Sequence, residues 1–153
     1  MLPFRSLAIY VLIFSFLPAL VIAQGPGPRG DSAWGIRGAY QRMYDPKTVE
    51  SFRGVVLAVD TFFLGRGSRG GLHLRIKRPA DTIAVHLGPI WYLEGQELAI
   101  AANDTLTIKG SRTVFEGRPA VIASEIMRGA DTLVLRDSRG IPAWSGWRRR
   151  HAR

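Results

Sequence analysis

The alternation that stops abruptly at Gly88-Pro89 is the feature that most constrains this fold. Ile83, Val85 and Leu87 alternate with Thr82, Ala84 and His86, and the same period of two runs through Leu72, Leu74 and Ile76 against His73, Arg75 and Lys77. Both runs read as strands with one apolar face. Pro89 has no amide for a ladder and suits the first turn of a helix, so a short helix is expected from Ile90 to Leu98. That helix places Trp91 and Tyr92 where they can plug one end of a barrel or stack on a ligand.

The Arg78-Pro79-Ala80-Asp81 stretch between the two runs has the length of a four-residue hairpin loop. If it is the whole loop, Lys77 faces Thr82, Arg75 faces Ala84, and His73 faces His86 on the outer surface. Leu74, Ile76, Ile83 and Val85 then point inward, because a slip of one residue would turn one apolar set to water.

Upstream, Val55, Leu57 and Val59 alternate with Val56, Ala58 and Asp60 in a first strand that begins near Val49, with Gly54 as a bend. The loop after it formally contains Gly-x-Gly-x-x-Gly from Gly65 to Gly70. A dinucleotide fingerprint must open a helix, whereas a strand follows here, so a basic hairpin loop is expected instead.

Downstream, Asn103-Asp104 is a turn, Leu106 to Phe115 a strand bent at Gly110, and Glu116-Gly117 a tight turn. Ala120 to Met127 and Leu133 to Leu135 follow as strands, and the segment from Asp137 to Trp147 is an aromatic closure that packs back. Three strands, a short helix, then two long strands and a final hairpin is the order of an OB-like, five- to six-stranded antiparallel barrel with its helix between strands three and four. An open antiparallel sandwich is the alternative.

The flanks differ in kind. Arg5, the apolar run Leu7 to Leu17 and the Val21-Ile22-Ala23 ending form a secretory signal pattern, with cleavage expected after Ala23. Residues 24–44, rich in Gly, Pro and Arg and without periodicity, read as an extended linker, residues 45–147 as the barrel domain, and residues 148–153 as a basic tail. The expected location is therefore periplasmic or secreted, with no transmembrane segment after cleavage. The chain has no cysteine, which excludes disulfides, thiolate catalysis and covalent haem attachment. Its formal net charge of +9 favours partners of opposite sign.

Three stretches carry a family resemblance. They are Tyr44-Asp45-Pro46-Lys47-Thr48-Val49-Glu50, then His86-Leu87-Gly88-Pro89-Ile90-Trp91-Tyr92, and finally Leu135-Arg136-Asp137-Ser138-Arg139-Gly140-Ile141-Pro142-Ala143-Trp144-Ser145-Gly146-Trp147. Together they resemble small exported bacterial proteins related to the MamS/MamX magnetosome-protein domain, some of which carry a DNA-binding label. The resemblance implies a periplasmic or membrane-facing accessory domain without a defined activity. The Cys-x-x-Cys-His haem motifs of the MamX branch have no counterpart in a chain without cysteine, so haem binding is not carried over.

In OB-folds the face of strands two and three and the loops after strands one and four bind ligands. Here those parts carry Arg66, Arg69, His73, Arg75, Lys77, His86 and Arg118, with Trp91 and Tyr92 as aromatic candidates. His73 and His86 are the candidate metal ligands, although a zinc site takes three or four and only His151 is left to add. The carboxylates are scattered at turns and strand ends, and no nucleophile or metalloprotease motif occurs. The expected function is that of a non-enzymatic, exported binding or scaffolding module with no cofactor, docking on an envelope protein or anionic surface. The alternatives are nucleic-acid binding, which export disfavours, and a metal or haem accessory role.

Overall fold

The structure, a computed structural model, describes residues 32–146. The expected signal peptide, the start of the linker, Trp147, the basic tail and His151 lie outside the described residues.

Six strands and one short helix follow in the anticipated order: β1 (Val49–Phe62), β2 (Gly71–Lys77), β3 (Thr82–Pro89), α1 (Ile90–Leu93), β4 (Thr105–Phe115), β5 (Arg118–Arg128) and β6 (Asp131–Val134). They form one sheet in the order β3-β2-β1-β4-β5-β6, and a further β3–β5 pairing closes the first five into a ring, running 1-2-3-5-4-1. Neighbouring strands in the sheet order pair antiparallel, whereas the closing pair is parallel and covers only Ala84 to His86 against Ala120 to Ile122. The helix is shorter than the expected Ile90 to Leu98: it spans Ile90–Leu93 and tightens at its C-terminal end, where Gly95 bonds back three residues to the Tyr92 carbonyl.

One long strand serves two neighbours. Val49 to Val55 of β1 pairs with β4, and Val55 to Phe62 pairs with β2, so β1 must bend near Val55. Gly54 permits the bend, since a Cβ there would meet the Ile76 side chain and lie 2.8 Å from the Lys77 carbonyl oxygen. On β4 the corresponding irregularity falls between Lys109 and Gly110, where a Cβ would sit 2.5 Å from the Ile122 carbonyl oxygen. The β4–β5 turn has positive φ at both Glu116 and Gly117, the requirement of a two-residue type I′ hairpin, whose twist matches that of its strands.

Inside the ring, Val56, Leu74, Ile76, Ile83, Val85, Leu106, Ile108 and Val121 are buried, as period-two alternation requires. The β2–β3 register is the one the four-residue loop dictates: Lys77 faces Thr82, Arg75 faces Ala84, and His73 faces His86.

The stretch from residue 32 to 44 is not an extended linker. It folds into short 3-10 turns at Ser32–Trp34 and Gln41–Met43, and buries Trp34, Tyr40 and Tyr44 against the outside of the ring. Trp34 Nε1 donates to the Arg69 carbonyl, Trp144 Nε1 donates to the Trp34 carbonyl at 2.9 Å, and Gln41 Nε2 donates to the Gly140 carbonyl. Local composition could not announce this, because the segment has no periodicity of its own and is ordered by aromatic burial on a surface made elsewhere. Trp34 lies edge-on to Tyr40, Phe62 and Trp144, with ring centroids 5.2 to 6.2 Å apart.

Two kinds of disruption separate by size. Gly110→Ala forces a methyl group into backbone and should cost about 3 kcal/mol, while Gly117→Ala meets nothing within 4 Å and should cost about 1 kcal/mol through its positive φ alone. Trp34→Ala should cost about 4 kcal/mol. Urea denaturation of the three variants measures each difference, and a Trp34 variant as stable as the parent would show that the segment is not part of the cooperative core.

Candidate functional site

The register of four strands assembles one continuous outer face. His73 faces His86, Arg75 faces Ala84, Ala84 and His86 face Ala120 and Ile122, and Ala120 faces Thr113, so side chains of β2, β3, β5 and β4 share a side. Phe115 and Arg118 face each other at the end of the same array. The segment carrying Trp34, Tyr40 and Tyr44 covers one end of this face. The other end is open.

The open end is a cleft of about 1410 Å³ between the β2–β3 and β4–β5 hairpins. The hairpins part because the parallel ladder stops at Ala84 and Ala120, and Pro119 has no amide with which to extend it. Phe62, Phe115, His73 and His86 line the cleft where it meets the covered end. Their rings are in mutual contact: His86 lies 4.3 Å from Phe62, 4.7 Å from Phe115 and 5.6 Å from His73 between ring centroids.

His73 and His86 are cross-strand neighbours as expected, but the pair is not an exposed surface pair. His86 is only 2% exposed, because Tyr40 stacks on it at 5.9 Å and places its hydroxyl 3.1 Å from Nδ1. Burial, assisted by His73 and the Arg136 charge, pushes the His86 pKa down to about 3. Burial also lowers that of His73, outweighing Asp60, whose carboxylate lies 3.8 Å from Nε2 and acts the opposite way. Both imidazoles are therefore neutral at pH 7.

Of the other expected residues, Arg75 and Arg118 line the cleft with the histidines, while Lys77 lies on the same strand face outside its lining. Arg66 lines a separate, shallow depression with Arg37, and Arg69 is tied into the fold by its carbonyl. Trp91 and Tyr92 belong elsewhere. Tyr92 is buried against Trp144 with ring centroids 5.6 Å apart, and half-buried Trp91 packs against the core, so neither reaches the cleft.

Three of the four cleft arginines, Arg75, Arg78 and Arg112, carry counterions, whereas Arg118 has no carboxylate partner among the described residues. Arg75 bonds Asp60 at 3.0 Å, and Arg78 holds Asp81 through two bonds of 2.6 Å, which depress the Asp81 carboxyl. Glu50 lies between Arg78 and Arg112, 3.7 and 3.8 Å away. The rim thus alternates in sign. Over residues 32–146, fifteen Lys and Arg stand against eleven Asp and Glu, so much of the chain's excess positive charge lies outside the described residues.

Two residues of this centre, Tyr40 and Arg136, are not identifiable from sequence pattern. Arg136 is buried with no carboxylate beside it: its guanidinium lies 4.8 Å over the Trp144 ring and 5.7 Å from the Tyr44 ring, and Nη1 donates to the Ala123 carbonyl at 2.6 Å. A lone Arg after an apolar run has no periodic signature. For Tyr40, the only hint was a large aromatic in a Gly/Arg-rich segment.

No group of three or more His, Asp or Glu able to hold a metal exists among the described residues. Covalent haem attachment lacks its thiols altogether.

Burial of a neutral histidine makes stability depend on pH. The unfolded His86 takes up its proton near pH 6.5 and the folded one only near 3, so its contribution is complete above pH 6.5 and is lost as pH falls toward 3. From pH 7 to pH 5 this should remove about 2 kcal/mol, before the depressed Asp104 and Asp137 carboxyls begin to protonate. Urea titrations at the two pH values measure the loss, and His86→Phe should flatten it; an equal loss in that variant would assign the effect to other groups.

No curated protein matches the chain. Among solved structures it is similar to a replication protein A heterotrimer bound to single-stranded DNA, at 15% identity and a TM-score of 0.39, over 55% of this chain and 59% of that one. The MamS/MamX magnetosome protein family matches residues 48–133, from just before β1 into β6, and the chain belongs to that family.

Proposed function

We propose that this chain is a non-enzymatic binding module, exported and magnetosome-associated, that holds a segment of an envelope protein in the cleft between its two hairpins. The observation that carries the reading is the composition of that cleft. It combines strand edges left open by a three-residue ladder, an apolar and imidazole floor, and a rim on which Arg75, Arg78 and Arg112 already face carboxylates. Open strand edges recognise extended backbone, and apolar pockets beside them read side chains. Family membership supports the magnetosome association, and the signal pattern at residues 1–23 supports export.

The same rim disfavours nucleic acid. Affinity for a phosphate backbone comes from uncompensated Lys and Arg and from exposed aromatic rings on which bases stack. Here Arg75 and Arg78 are held by carboxylates, and Phe62 is buried. A docking function also needs no acid–base pair, and the histidines are placed for contact rather than for proton transfer, since burial holds His86 neutral.

A photo-crosslinking amino acid at Arg118, on the cleft, should give a discrete adduct with one envelope protein, and the same probe at Leu57, on β1 away from the cleft, should not. Equal labelling from both positions would refute a cleft-specific partner. Binding of a thirty-residue oligothymidine that weakens steeply with salt would replace this reading with the nucleic-acid one.

A further inference from the structure

We propose that His86 is held as its Nε2–H tautomer by Tyr40 and Arg136, and that this fixed N–H is the polar anchor of the cleft, donating to a backbone carbonyl of a bound, extended polypeptide segment. The proposal rests on the cleft reading given above and adds the group that orients the ligand.

The guanidinium of Arg136 only donates: Nη1 bonds the Ala123 carbonyl at 2.6 Å and reaches the Leu87 carbonyl at 3.5 Å, Nε and Nη2 meet no acceptor in good hydrogen-bond geometry among the described residues, and the Tyr40 oxygen is the polar group its charge acts on. Its charge therefore acts as an uncompensated field inside the fold. That field reaches the Tyr40 oxygen. A hydroxyl beside a buried cation turns its oxygen toward the charge and its proton away, and burial keeps the Tyr40 hydroxyl protonated, well above the ordinary phenol range. The nitrogen 3.1 Å from that hydroxyl is His86 Nδ1. If Nδ1 carried the proton instead, the Tyr40 oxygen would have to accept it, and the buried tyrosine O–H would be left without an acceptor among the described residues. Nδ1 therefore accepts, and in a neutral imidazole Nε2 must then carry the hydrogen.

The consequence lies in the cleft. His86 is part of its lining, and with Nδ1 committed to Tyr40 the ring nitrogen left for a ligand is Nε2, a donor with no free lone pair. Such a nitrogen accepts neither a metal nor a ligand proton; it selects an acceptor oxygen. The charges facing His86 leave that choice unchanged: His73 across the β2–β3 pair is neutral, and Asp60 on β1 is engaged by Arg75. A peptide carbonyl fits better than an anionic oxygen because three of the four cleft arginines are already held by carboxylates, and because the diverging edges of β3 and β5 offer backbone groups in register with extended chain.

Nitrogen-15 NMR of histidine-labelled protein at pH 7 reads the tautomer directly. His86 should show protonated Nε2 and unprotonated Nδ1, zinc added to the sample should leave that pattern unchanged, and Tyr40→Phe should release a mixture of both forms. A His86 protonated at Nδ1 would overturn the proposal. For the ligand, a phage-displayed library of random twelve-residue peptides serves as the probe. Selected peptides should bind Arg118→Glu and His86→Phe at least tenfold more weakly, with both variants checked for folding by circular dichroism. Binding lost in Arg118→Glu but kept in His86→Phe would remove the anchoring role and leave the cleft reading standing. Binding kept in both, or no enrichment at all, would overturn the cleft reading and the proposal with it.

Discussion

Three residue pairs, Ala84 with Ala120, Val85 with Val121 and His86 with Ile122, turn a meander of hairpins into a closed ring. Everything else in the structure depends on where that ladder stands. Parallel pairing cannot be made by a tight turn, so the chain needs the long excursion through α1 and β4 before β5 can return beside β3. Because the ladder is short, both hairpins overhang it. One overhang pair becomes the cleft, and the outer face at the other end accepts the segment around Trp34 and Tyr40. A longer β3–β5 ladder would erase the cleft.

The covered end shows how a chain without cysteine ties a peripheral segment to its core. Trp34, Tyr40 and Tyr44 join ring residues Phe62 and Phe115, with Trp144 arriving from the C-terminal side. Arg136 lies at the junction, bonded to the β5 carbonyl of Ala123 and sandwiched by aromatic rings from both flanking segments. A buried cation without an acid partner is costly to desolvate, and its pKa is accordingly lowered. Its stacking on Tyr44 and Trp144 and its influence on Tyr40 couple that cost to the arrangement of the histidine centre.

The strands and their register were legible because one face of each is buried, and burial is written as period two. The His73–His86 pairing followed from that period plus one loop length. What was not legible is which part of the outer face would be covered. Trp34 and Tyr40 carry no periodic pattern, and their destination is a surface that exists only after β2, β3, β4 and β5 have paired. The histidines therefore read as exposed when His86 is enclosed. Arg118 was a candidate only as part of the loop after strand four, and the cleft it lines exists because the two hairpins part; Trp91 and Tyr92 could not be told from core aromatics until Trp144 was seen against Tyr92.

The hydrogen bond from Trp144 to the Trp34 carbonyl joins the first and last parts of the described chain. Both lie near the Gly71–Pro89 end of the β2–β3 hairpin, since a Cβ at Gly71 would strike Trp34 and one at Gly88 would strike Trp144, whereas the cleft begins at the Lys77–Thr82 end. Six residues of strand separate the two ends, roughly 20 Å. The two ends of the described chain thus lie on the same side of the domain, opposite its opening. Neither end of the described chain crosses the cleft, so its walls are strands and hairpin turns alone.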